Sequence, residues 1–197
     1  MRQFRRGLLW IGLAWALAGC VGFTLAKKGE PVEIASKIAI TPGRDWNRLS
    51  SGDVEIWTLD GLHLQQMAFV GGIGDGEPLF ASRIQPGPTS DADDGPPKFR
   101  KGMTALEIAE LFEASLARQQ AQRIAIAALQ LARFGGRPGF GFDFTYVTKD
   151  GLEMKGRAAG AVVEDRLYMA IYRGARLHFY DRGADDFHQV LGSLRFL

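Results

Sequence analysis

The stretch FGFDFTYVTKDGLEMKGRAAGAVVEDRLYMAIY, residues 140–172, decides the fold. Phe142, Phe144 and Tyr146 alternate with Asp143 and Thr145, the period of two that a strand imposes. Asp150-Gly151 turns the chain, and Leu152 to Val163 returns along the first run. Glu164-Asp165 turns it again, and Arg166 to Tyr172 places Leu167, Met169 and Ile171 on one side, with Tyr168 and Tyr172 on the other. Runs joined by such short turns make antiparallel strands. Apolar residues on both sides of the third run imply a sheet buried on both faces. The rival reading of the two tyrosines is an aromatic surface for a ligand or a protein.

Upstream, Asp53 to Leu59 and Leu62 to Gly71 read as a hairpin about Asp60-Gly61, the strongest short-range hairpin signal. Val54 and Ile56 alternate there with Glu55 and Trp57. Met103 to Gln120 is the clearest helix. Thr104-x-x-Glu107 fits a capping box. Leu106, Ala109, Phe112 and Leu116 recur at helical spacing, Glu107, Glu110 and Glu113 line another face, and Arg118 suits the C-terminal end of the dipole. Residues 122–133, QRIAIAALQLAR, permit a helix by composition and a strand by alternation, and strand is preferred. Gly135, Gly136, Pro138 and Gly139 follow as a turn.

Leu177 to Tyr180 extends the sheet or leads into a last helix, Ala184 to Leu194, whose apolar face is Phe187, Val190, Leu191 and Leu194. Asp181 or Asp185 is placed to cap it. Ala35 to Thr41 reads as a first strand, broken by Pro42, Gly43 and Asp45, with Trp46 capping one end of the core. Gly72 to Arg100 is rich in Gly and Pro and carries Asp91, Asp93 and Asp94. It reads as a long loop, of a length that is often functional when ordered. The fold class expected is α+β: an antiparallel sheet of about six strands packed with two main helices.

The chain opens differently. Arg2, Arg5 and Arg6 precede an apolar run from Gly7, and the first acid is Glu30. Basic start, apolar middle and small-residue end make a secretory leader. It ends in Leu17-Ala18-Gly19-Cys20, which resembles the lipobox of bacterial lipoproteins at all four positions. The resemblance implies a diacylglycerol on the Cys20 sulfur, cleavage before Cys20 and an anchored mature chain. Stable anchoring needs two acyl chains, each buried CH₂ contributing ~0.8 kcal/mol. Val21, rather than Asp, after the cysteine implies sorting to the outer membrane, facing the periplasm. Two rivals stay open: residues 7–26 are long enough to span uncleaved, and Ala16-Leu17-Ala18 fits ordinary leader cleavage. The organisation expected is a signal peptide at 1–19, a lipidated tether at 20–34 and one domain at 35–197, with its long loop at 72–100.

Without the leader the chain has 178 residues, enough for one domain with a real core. The leader takes three arginines, so 24 basic residues become 21 against 22 acidic ones, about −1. That balance offers no electrostatic case for nucleic acid. Cys20 is the one cysteine, so no intramolecular disulfide forms, and stability rests on packing.

The order of elements over roughly residues 35–196 is an early hairpin, a mid-chain helix, a long meander and a short C-terminal helix. This layout resembles the PsbP-like fold, an antiparallel sheet covered by helices, and is similar to small lipoproteins of Gram-negative envelopes. The resemblance implies a binding or assembly role and carries no functional residue.

Chemical motifs give little. Gly72-Ile73-Gly74-Asp75-Gly76 is followed by Glu77-Pro78 and not by a helix, so a turn is the better reading than a phosphate loop. Counting from Asp91, an EF-hand fails at Gly95 and Gly102. His63, on an expected strand, His178 and His188 lie outside any zinc signature. His178 and His188 could approach one another near the last helix, as metal or acid–base groups. Ser193 sits in no nucleophile elbow and reads as packing. The expectation is a non-catalytic envelope lipoprotein: no cofactor, no metal, the membrane as partner through lipid on Cys20, and an envelope protein as a second partner. The alternatives are an anchored hydrolase or metal enzyme using His178, His188 and nearby acids, and a carrier of small apolar ligands.

Overall fold

A computed structural model describes residues 22–51, 54–80 and 95–197. The lipobox and Cys20 lie outside the described residues, as do 81–94 of the long loop.

Among the described residues eleven strands and two helices follow one another. The first six strands are β1 (Thr24–Ala26), β2 (Val32–Ile34), β3 (Ile38–Ile40), β4 (Trp46–Ser51), β5 (Val54–Thr58) and β6 (Gln65–Ile73). Helix α1 (Ala105–Arg118) precedes β7 (Gln122–Phe134), β8 (Arg137–Val147), β9 (Glu153–Val163) and β10 (Arg166–Ala175). Helix α2 (Asp181–Ser193) and β11 (Arg195–Phe196) close the chain. The main sheet has eight strands in the order β1-β4-β5-β6-β10-β9-β8-β7, and every pairing in it is antiparallel. A small sheet, β11-β3-β2, lies apart from it.

The meander is present over its whole length as β8, β9 and β10, and 122–133 is a strand. The helix at 105–118 carries the full capping box, Thr104 Oγ1 accepting from the Glu107 N–H and Glu107 accepting from the Thr104 N–H. The expected six strands undercount, because the additional ones are mostly of three residues or fewer, too short to show a period. The stretch expected as a tether, 20–34, is folded from Thr24: β1 pairs with β4, and β2 pairs with β3. Ala35 to Thr41 is therefore a turn plus β3, not one strand. The hairpin β5–β6 exists, but its loop runs over 59–64, and His63 is exposed in that loop rather than on a strand. Pro138 and Gly139 belong to β8, leaving Gly135-Gly136 as the turn. Helix α2 starts at Asp181, and its N-cap is Tyr180 with no side-chain bond, so neither Asp181 nor Asp185 caps it. The described base of the 72–100 loop is tied by the Pro78–Lys98 bridge, with Leu79 and Phe99 buried.

The sheet is buried on both faces, which settles the reading of the two tyrosines. On one face α1 packs over Phe140, Phe142, Phe144, Leu167, Met169 and Ile171. The Phe112 ring of α1 lies 5.2 Å from Phe142 and 4.7 Å from Phe144, in edge and tilted contacts that aromatic rings favour. Across the strands, Phe140, Phe142 and Phe144 stand opposite Gly160, Ala158 and Gly156. Large rings thus lie over small residues. A Cβ on Gly156 would come 2.1 Å from Phe144 Cζ, so glycine is required there. On the other face α2 and the small sheet cover Trp46, Trp57, Phe69, Tyr168 and Tyr172 with Phe187, Val190, Ile34 and Ile38. Tyr168 and Tyr172 are core residues, not an exposed aromatic surface.

Candidate functional site

Three places carry side chains that packing alone does not explain. The first surrounds His188. Arg157 on β9 forms a two-bonded pair with Asp143 on β8, at 2.6 and 3.1 Å. The bond to Asp143 pushes the guanidinium pKa up. Its Nη1 lies 3.2 Å from His188 Nε2. Arginine only donates, so Nε2 is the acceptor. Among the described residues His188 is thus partnered by a cation and not by an acid or by His178, which sits exposed in the turn before α2 at φ 71°. Among the described residues no group of three or more His, Cys, Asp or Glu side chains could hold a metal. Ser193 Oγ bonds Thr41 at both its N–H and its carbonyl, fixing α2 to the chain after β3.

The second place is the β7 edge. Strand β7 ends the main sheet, and its outer side has no strand neighbour among the described residues. From Ile124 to Ala132 it carries no charge. Ala125, Ala127, Ala128, Leu129 and Leu131 are exposed, Leu131 at 88%. Ile124 and Ile126 turn inward toward α1. Two bulges interrupt the pairing with β8, and Arg123 and Ala128 adopt φ values near +50°. Bulges and short length usually blunt an edge; this edge has bulges but is long and apolar.

The third is a cleft on the α1 face, beside β5, β6 and β10. Its cavity volume is about 40 Å³, open to solvent, and Val54, Ile56, Ala68, Val70 and Ile171 form most of its floor. Leu79, Phe80 and Phe112 make one wall, and Gln66 and Arg173 supply the polar groups. Arg173 extends the row Leu167, Met169 and Ile171 by one more alternate position, so the strand places a cation at the end of an apolar row. Gln66 stands opposite it in register and is only 5% exposed. With its amide oxygen toward Arg173, Gln66 accepts from Nε at 2.7 Å and Nη2 at 2.5 Å, and its nitrogen donates to the Leu62 carbonyl at 3.3 Å. The guanidinium also stands over the Tyr146 ring at 5.9 Å. Neither Gln66 nor Arg173 was singled out by sequence. The period of two that placed Ile171 inside was the signal, because it continues to Arg173.

No helix among the described residues is long and apolar enough to cross a membrane. The architecture is that of the PsbP-like fold, two helices on a mostly antiparallel sheet. The solution structure of cyanobacterial PsbP (CyanoP) from Synechocystis superposes with a TM-score of 0.53 at 11% identity, over 95% of this chain and 99% of that one. A crystal structure from Bacteroides thetaiotaomicron gives 0.49 at 8% identity, over 86% of this chain; the chain spans 49% of that protein's length. No protein-family model and no curated sequence matches the chain.

Proposed function

We propose that the chain is a lipid-anchored envelope protein whose PsbP-like domain binds a partner and performs no catalysis. Leu17-Ala18-Gly19-Cys20 supports the anchor, and Val21 supports placement in the outer membrane facing the periplasm. The observation that carries the binding role is the β7 edge, a run of nine uncharged residues whose outer side has no strand neighbour among the described residues, with Leu131 almost fully exposed. An extended segment of a partner adds to such an edge through backbone hydrogen bonds, while side-chain contacts on alternate residues select it. The hydrolase or metal-enzyme alternative gains nothing from the Arg157 contact of His188.

Two measurements on the full chain, expressed in a Gram-negative host, test the two halves. Wild type should lose residues 1–19, gain acyl mass and partition into membrane, and Cys20→Ser should do none of these. An unmodified, uncut wild type removes the anchor. For the edge, a photo-crosslinking residue at Leu131 should give one discrete adduct that Leu129→Lys abolishes, and the same probe at exposed Leu177 should not give it. Equal adducts at both positions, or none, overturn the edge as the binding surface.

A further inference from the structure

The cleft beside Arg173 combines two features that a merely imperfect core would not combine. Its lining is apolar except at one end, and that end holds a cation with no ion-pair partner among the described residues. A guanidinium has five N–H donors arranged along two forked edges. Gln66 occupies the Nε–Nη2 edge. No ion pair among the described residues takes the second edge, Nη1 with Nη2, and Gln66 and the Tyr146 ring hold the group in place. A fixed fork of that kind matches a carboxylate, which accepts two parallel bonds. The apolar floor then takes whatever the carboxylate carries. Small-molecule sites usually have this composition, mostly apolar with a few fixed polar groups that set orientation.

We propose that this cleft is a binding site for a small amphipathic monocarboxylate, with its head on Arg173 and a short aliphatic or aromatic tail over Val54, Ile56, Ala68, Val70 and Ile171. The cavity volume, about 40 Å³ and open to solvent, suits a short tail whose far end emerges from the cleft. The site lies on β5, β6 and β10, in the interior of the sheet order, while β7 is at its edge. It is therefore independent of the edge-binding reading, and either can fail alone.

The test uses the full chain in lipid nanodiscs, with methyl NMR of Val70 and Ile171 as local probes and hexanoate as the ligand. Hexanoate should shift these methyl signals saturably. Hexanol, with the same tail and no charge, should bind at least tenfold more weakly, and so should hexylamine. Arg173→Gln should lose at least tenfold in hexanoate affinity while the Ile34 and Ile38 signals of the opposite core stay in place. Ala68→Leu, which fills the floor and leaves Arg173 untouched, should lose binding as well. No shift with hexanoate overturns the site. Equal binding of hexanoate and hexanol, or unchanged affinity in Arg173→Gln, shows an apolar crevice without carboxylate recognition and overturns it too.

Discussion

Asp186 is a buried carboxylate in the first turns of α2, and it joins three parts of the chain. It accepts from the Trp46 Nε1–H at 2.5 Å and from the Gly43 N–H at 2.8 Å, holding the start of β4 and the loop before it against the helix. Trp46 is fully buried, so its N–H has no water to turn to. Removing the carboxylate loses two charge-assisted bonds and strands a buried donor. Asp186→Ala should therefore lower unfolding stability by about 3 kcal/mol, read from urea unfolding. Asp186→Asn keeps one acceptor oxygen and should lose less. Equal losses in the two variants would mean that space filling, not hydrogen bonding, is the role of this side chain. Sequence pointed to the neighbouring acids Asp181 and Asp185 as helix caps, because capping follows from local spacing. The role of Asp186 depends on a tryptophan 140 positions away, which local spacing does not encode.

The hairpin β9–β10 shows what an element can and cannot reveal in its own residues. Glu164 and Asp165 form its two-residue turn, both in the left-handed region at φ 51° and 59°. Turns of this hand match the twist of the strands they join and favour Asn-Gly. Glutamate in that conformation carries strain of about 1 kcal/mol. The double change Glu164→Asn with Asp165→Gly should raise stability by about 1 kcal/mol, measured as a higher midpoint in thermal or urea unfolding. A lower midpoint would show that the acidic side chains support the hairpin. The turn was legible in the sequence because two strongly alternating strands flank it. Alternation also fixed β8 and β10 and the sidedness of Tyr168 and Tyr172. Strands β1, β2 and β11 were not legible, since two or three residues cannot display a period; β1 extends the main sheet beside β4, while β2 and β11 flank β3 in the small sheet over the second core. That β7 is an edge was likewise hidden, since edge position is a property of strand order. Arg173 was readable by extending the alternation of β10, but a cation at the end of an apolar row looks like an ordinary strand end until Gln66 is seen across from it.

The whole molecule is two cores built on the two faces of one sheet, and its buried tyrosines make its stability fall at alkaline pH. Burial pushes the Tyr172 phenol up to about 12, and moves Tyr168 and Tyr180 upward as well. Tyr172 Oη donates to the Tyr180 carbonyl at 2.6 Å and accepts from Gln65 Nε2 at 3.0 Å. Below about pH 10 the phenol is neutral in both the folded and the unfolded chain, and its contribution is complete. As pH rises from there toward 12, the unfolded chain ionises first, and that contribution is lost. Tyr172→Phe should cost about 1 kcal/mol at neutral pH, through the missing bonds. Its stability should also fall less steeply than wild type between pH 10 and 12. Urea unfolding at pH 8 and pH 11 measures both effects, and parallel losses in the two proteins would remove Tyr172 from the alkaline response.

Strand β1 begins four residues after Cys20, and that spacing governs how an anchored molecule would be berthed. A fully extended chain of four residues reaches only about 14 Å. Acylated at Cys20, the domain could not drift away on a leash; it would rest against the bilayer along its β1 side. Phe23 and Leu25, each about half exposed, and Lys27 and Lys28 sit where they would meet the headgroups. Strand β7 is at the far end of the eight-strand order. Seven steps of ~4.8 Å put it about 34 Å away across the sheet, so the lipid would act as a mooring that points the open edge away from the membrane.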